Sequence, residues 1–97
     1  MGIGVVLEIR DDLRKYCHIS DDGSRIDYFC CPVSGCNYRT RLGPGALRMH
    51  MLLKADPKIE GRYCEAHDSF CQSHLNELST EMVRYMNQFP RRDLESS

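Results

Sequence analysis

The chain has 97 residues, 41% of them hydrophobic and 8% aromatic with no Trp, and its 13 basic and 14 acidic side chains leave a formal charge of −1. A core this small is marginal once the entropy of ordering the backbone is offset, so a staple beyond burial is expected, and six Cys and four His supply one. No apolar run approaches the roughly 20 residues of a membrane span, which excludes a transmembrane role.

Residues 1–13 have no basic start and no apolar run of signal-peptide length. The expected setting is intracellular, cytoplasm or nucleus, where thiols stay reduced and a metal is favoured over disulfides. Val5, Leu7 and Ile9 fall on one side, with Glu8 and Arg10 between or beyond them, a strand-like pattern. Ser20-Asp21-Asp22-Gly23-Ser24 is turn-forming, with Gly23 free to take positive φ, and Ile26, Tyr28 and Phe29 predict a second short strand. The two strands are expected to form an N-terminal hairpin or to stand as short strands, with an intervening helical turn over Leu13, Tyr16 and Ile19 as the alternative to a direct hairpin. Residues 46–55 predict a helix of about three turns, closed by Pro57. Over 65–89, Cys71, Leu75, Leu78, Met82, Tyr85 and Phe89 step by fours and threes, the stripe of one long amphipathic helix. The expected fold is therefore a small zinc-stabilised α+β domain over 1–89, with a finger-like ββα core at 29–56, a long C-terminal helix and a flexible tail at 90–97.

The chemistry concentrates in Phe29-Cys30-Cys31-Pro32-Val33-Ser34-Gly35-Cys36-Asn37-Tyr38-Arg39-Thr40-Arg41, followed by Leu47-Arg48-Met49-His50-Met51. Two Cys on a tight Gly-containing turn present two thiolates from one side, and a helix presents a His from the other, as tetrahedral zinc requires. This stretch, residues 29–51, resembles the two-Cys, two-His zinc-finger family: Phe29 two before Cys31, Cys-x-Tyr-x-Thr at 36–40, and Leu47-x2-His50. The family spacing between second Cys and first His is exceeded by one residue, placed at Gly43-Pro44-Gly45. The resemblance implies a ββα unit, structural zinc and a helix able to enter a nucleic-acid groove.

The family's second His is missing three to five residues after His50, where Lys54, Ala55 and Asp56 stand. Cys64 and His67 are the nearest soft donors, and the dipole at a helix start favours the Cys64 thiolate as the fourth ligand. A knuckle-plus-helix-start set of Cys31, Cys36, Cys64 and His67 is the competing arrangement, so four of Cys31, Cys36, His50, Cys64 and His67 are expected to hold Zn. Two sites would add Cys17, His18, Cys71 and His74. Cys71 alone fits as a small core hydrophobe, and Cys30 should face away from Cys31 on an extended strand.

Metalloprotease and deaminase His/Glu/Cys patterns are absent, so no enzyme is expected. Two binding functions remain. Met49, Met51, Leu52 and Leu53 make helix 46–55 apolar nearly all round, which favours a protein-interaction or adaptor scaffold. The basic charge falls on residues 31–62, six basic against two acidic, where Arg39, Arg41, Arg48 and Lys54 would contact DNA in the alternative reading.

Overall fold

The structure, a computed structural model, describes residues 7–90. A 3-10 turn over Asp11–Tyr16 leads into β1 (Cys17–Ile19), which pairs antiparallel with β2 (Ile26–Cys30). Ser20–Ser24 forms the connecting turn, with Gly23 at φ 75° and its N–H donating to the Ser20 carbonyl at 2.8 Å. β2 pairs on its other side with the short β3 (Arg39–Thr40), giving a three-stranded antiparallel sheet in the order β1-β2-β3. Helices α1 (Pro44–Lys54), α2 (Glu65–Ser73) and α3 (Thr80–Asn87) follow, with a 3-10 turn at Leu75–Leu78 between the last two. No helix among the described residues is long and apolar enough to cross a membrane.

Two expectations are corrected. The hairpin is not made by the segment at Val5–Ile9: Val5 lies outside the described residues, and Leu7 and Ile9 carry no strand pairing although both are buried. Leu7 instead donates to the Gly23 carbonyl at 2.8 Å, which lays this segment against the turn. Leu13 and Tyr16 bury their side chains from the 3-10 turn, while Ile19 belongs to β1.

The expected long helix over 65–89 is the second correction, because it breaks at two points. His74 leaves helical geometry at φ −125°, ψ 36°, and Ser79 does so at φ −87°, ψ 169°. Tertiary contacts hold the break. The Arg48 side chain donates from Nε to the Leu78 carbonyl at 2.9 Å, so a carbonyl that a continuous helix would have used is taken from outside. Glu77 is anchored at Oε1 by the Tyr16 hydroxyl at 2.9 Å and Lys15 Nζ at 2.7 Å. Ser79 then caps the new helix, its Oγ accepting from Met82 N–H at 3.2 Å. The buried stripe shifts accordingly to Cys71, Leu78, Met82 and Met86, and Leu75 is left 68% exposed.

α1 is the hub of the core. Leu47 and Met51 on one face are fully buried with Phe29, Ile26, Tyr16 and Met86. Gly45 sits close enough to α3 that an added Cβ would meet Val83 at 3.9 Å, an ordinary packing distance. Leu52 and Leu53 are half-buried and only Met49 is mostly exposed, so the apolar surround expected of this helix is largely covered.

Candidate metal centre

Cys31 follows directly on β2, and its N–H donates to the Tyr38 carbonyl at 3.1 Å, closing the loop against the strand that leads into β3. Within this loop Cys36 N–H donates to the Val33 carbonyl at 3.0 Å, and Gly35 takes φ 86°, a left-handed conformation that a side chain would strain. The tight turn folds the Cys36 thiol back towards Cys31. Pro44 starts α1 in its first turn, and His50 lies two turns further along the helix. The chain then returns through Cys64, whose N–H donates to the Lys54 carbonyl at 2.7 Å, and α2 begins at Glu65.

Cys31, Cys36, His50 and His67 converge so that their ligand atoms all lie within 4.8 Å of one another, two thiols and two imidazoles in one group. Cys31 Sγ is 3.4 Å from His67 Nε2, and Cys36 Sγ is 3.5 Å from His50 Nε2. Zinc bonds of about 2.3 Å to sulfur and about 2.0–2.1 Å to nitrogen, held at a tetrahedral angle, place sulfur and nitrogen about 3.6 Å apart. The donor chemistry and these two separations fit a zinc ion.

The fourth donor in the cluster is His67, not Cys64. Cys64 is the N-cap of α2, with extended backbone at φ −134°, ψ 119°, and its thiol is not among the converging ligand atoms. His67 and Cys71, four apart on α2, share the buried face. The departure from the finger pattern is therefore met by a His from the next helix. The cluster is the finger-like set of Cys31, Cys36 and His50 with His67 in place of the favoured Cys64, and the competing set that leaves His50 out is not the one formed.

Burial shapes the electrostatics of the site. Burial pushes the Cys31 thiol up to about 12; a Val33 backbone hydrogen bond opposes this and the neighbouring Cys36 adds to it. Burial holds both imidazoles below their ordinary 6.5, with His67 and Lys54 adding to the effect at His50, and Lys54 at His67. Neutral imidazole is the ligand form, and a divalent ion reverses the penalty on the thiols by binding them as thiolates. His67 Nδ1 is buried without a hydrogen-bond partner, so Nε2 is its interacting nitrogen.

A group that sequence reasoning passed over completes the site. The Tyr38 ring lies flat on His50, centroids 3.9 Å apart and planes within 5°, and fixes the imidazole orientation; the His50 and His67 rings meet edge-on at 5.3 Å. Its signal in the sequence is Tyr38 two residues after Cys36, where the register of the loop carries it beside the helix.

The remaining thiols and imidazoles form no second group among the described residues. Cys17 and Cys71 are buried, and burial raises both thiols, Cys17 to about 11. Cys71 Sγ lies 3.9 Å from the Met51 carbonyl, a core position. His18 stacks on Tyr28 at 5.0 Å, and His74 Nδ1 lies 2.9 Å from the Phe70 carbonyl. Of the basic residues weighed for DNA, Arg39 and Arg41 are exposed, Lys54 is half-buried, and Arg48 is committed to Leu78. Comparison with family models, curated proteins and solved structures finds no match for this chain.

Proposed function

We propose that this protein is a non-enzymatic binding module whose fold is held by one structural zinc ion on Cys31, Cys36, His50 and His67, and that it serves as a scaffold for contact with another protein. The convergence of two thiols and two imidazoles within 4.8 Å carries the zinc part of this reading. Four protein donors fill a tetrahedron and leave no position for a reacting water, so zinc here would supply cohesion rather than catalysis. It would join the loop after β2, the middle of α1 and the first turn of α2, three segments far apart in sequence.

The nucleic-acid reading is the weaker of the two. It loses Arg48 to the fold, and the start of α1 (Pro44, Gly45, Ala46, Leu47) offers bases no hydrogen-bonding side chain. Native mass spectrometry of the purified chain tests the scaffold reading: one zinc per chain, lost together with the folded state in chelator, is the expected result. A chain that stays folded and metal-free would refute it.

A further inference from the structure

One surface is left unused by the metal centre. On the outer face of the sheet three side chains from three adjacent strands stand in a row. The His18 ring stacks on Tyr28 at 5.0 Å with planes within 6°, and the Arg39 guanidinium lies 4.9 Å from the Tyr28 ring centroid. Tyr28, Arg39, Thr40 and Arg41 line a groove of about 270 Å³. Arg39 belongs to the edge strand and Arg41 to the bend that follows it, and both line this groove. Both are exposed, and among the described residues neither has a carboxylate within ion-pair distance. Leu42, 76% exposed, continues the rim, held by its N–H to Thr40 Oγ1 at 3.0 Å.

We infer that this groove binds an acidic peptide segment of a partner protein, its carboxylates on Arg39 and Arg41 and an apolar residue against Leu42. This rests on the scaffold reading and names its partner chemistry. Arg presents a planar fork that pairs bidentately with carboxylates, and Tyr28 holds the Arg39 fork from behind. β3 lies at the edge of the sheet, where an extended segment is able to lie alongside. A long polyanion fits less well. The opposite end of the same face is acidic, with Asp21, Asp22 and Asp27 around His18 and Arg25, and would repel phosphates running across the sheet. The exposed leucine at the basic end also suits a peptide side chain rather than a sugar-phosphate backbone.

The test titrates the full-length, zinc-loaded chain with an octaglutamate peptide carrying one central Leu, followed by amide NMR shifts at constant ionic strength. Saturable shifts confined to Tyr28 and residues 39–42, weakened at least tenfold in Arg39→Gln/Arg41→Gln, are expected. Three results would overturn the inference: no shifts at millimolar peptide, which would leave the two arginines as guards of an edge strand; shifts unchanged by the double substitution; or tighter binding of a twelve-nucleotide oligo-dT. Zinc content and melting temperature are read on the same samples. If both persist while the peptide fails to bind, the groove assignment falls and the zinc scaffold stands; if zinc is absent, the scaffold reading itself has failed.

Discussion

Replacing His67 by Ala removes the nitrogen that lies 3.4 Å from Cys31 Sγ and one of four donors in the cluster. Loss of a group that merely orients a ligand costs about 10–100-fold in metal affinity, so loss of the ligand itself should cost at least about 100-fold, or about 2.7 kcal/mol. The consequence for folding is large. Structural zinc contributes about 10–16 kcal/mol in small fingers, comparable with the whole stability of a domain of this size. Cys64→Ala is the matched control, since Cys64 is half-buried and outside the cluster. Competition against a chromophoric chelator gives the affinities, and Co²⁺ in place of zinc gives the thiolate count through its charge-transfer band, expected to report two thiolates. If Cys64→Ala releases the metal, or the Co²⁺ band reports three thiolates while His67→Ala still binds tightly, the assignment of the fourth ligand is wrong.

Other outcomes follow from the same geometry. Both imidazoles are held below 6.5, so each contributes stability that is present above that pH and lost as pH falls through the lower folded-state value; thermal melts should show stability declining below about pH 6.5, more steeply with zinc because protons then also compete with the ion. Ser79→Ala should destabilise by about 1 kcal/mol in urea melts because Ser79 caps α3, whereas in one uninterrupted helix the same change would stabilise. Arg48→Met should cost about 1.5 kcal/mol, the lower end for a charged hydrogen bond because the side chain is only half-buried, and should raise hydrogen exchange around Leu78 and Ser79. Leu47→Ala, at a fully buried position, should cost about 2–5 kcal/mol by urea denaturation of the zinc-loaded protein.

Much of the site was legible because its first three donors lie in local chemistry. The Cys31 to Cys36 turn announces itself through Gly35, and His50 through a helix read from residue 46, two residues inside its actual start at Pro44. The fourth donor was not legible to that degree. Choosing between Cys64 and His67 depends on where α2 starts, and a shift of the N-cap by one turn would reverse it; no proline or Asx residue marks the spot. The C-terminal break was hidden for a different reason. Steps of three and four from Cys71 to Phe89 satisfy a single helix, and nothing in that stretch is a strong breaker. What interrupts it is Arg48, thirty residues upstream, taking the Leu78 carbonyl, with Tyr16 and Lys15 on Glu77. Ser79 was the one local sign. The N-terminal pattern misled through burial: Leu7 and Ile9 alternate and are indeed buried, yet alternation alone does not supply a neighbouring strand.

The composition of α1 makes sense once its neighbours are counted by direction. Leu47 and Met51 face the common core, Arg48 reaches to Leu78, His50 faces the cysteines, and Gly45 lies beside Val83 of α3. An apolar surface on every side of a short helix would ordinarily mark a docking element. Here the same composition reflects a helix packed against sheet, α2 and α3, with Met49 its one exposed large hydrophobic residue. A partner seeking an apolar face on α1 would find little of it. In the proposed zinc-bound form, an ion on His67 and His50 would fasten α2 to α1 without the side chains a larger interface would need. The recognition surface we infer lies instead on the sheet, where Arg39 of β3 rests against Tyr28 and the exposed Arg41 and Leu42 follow it.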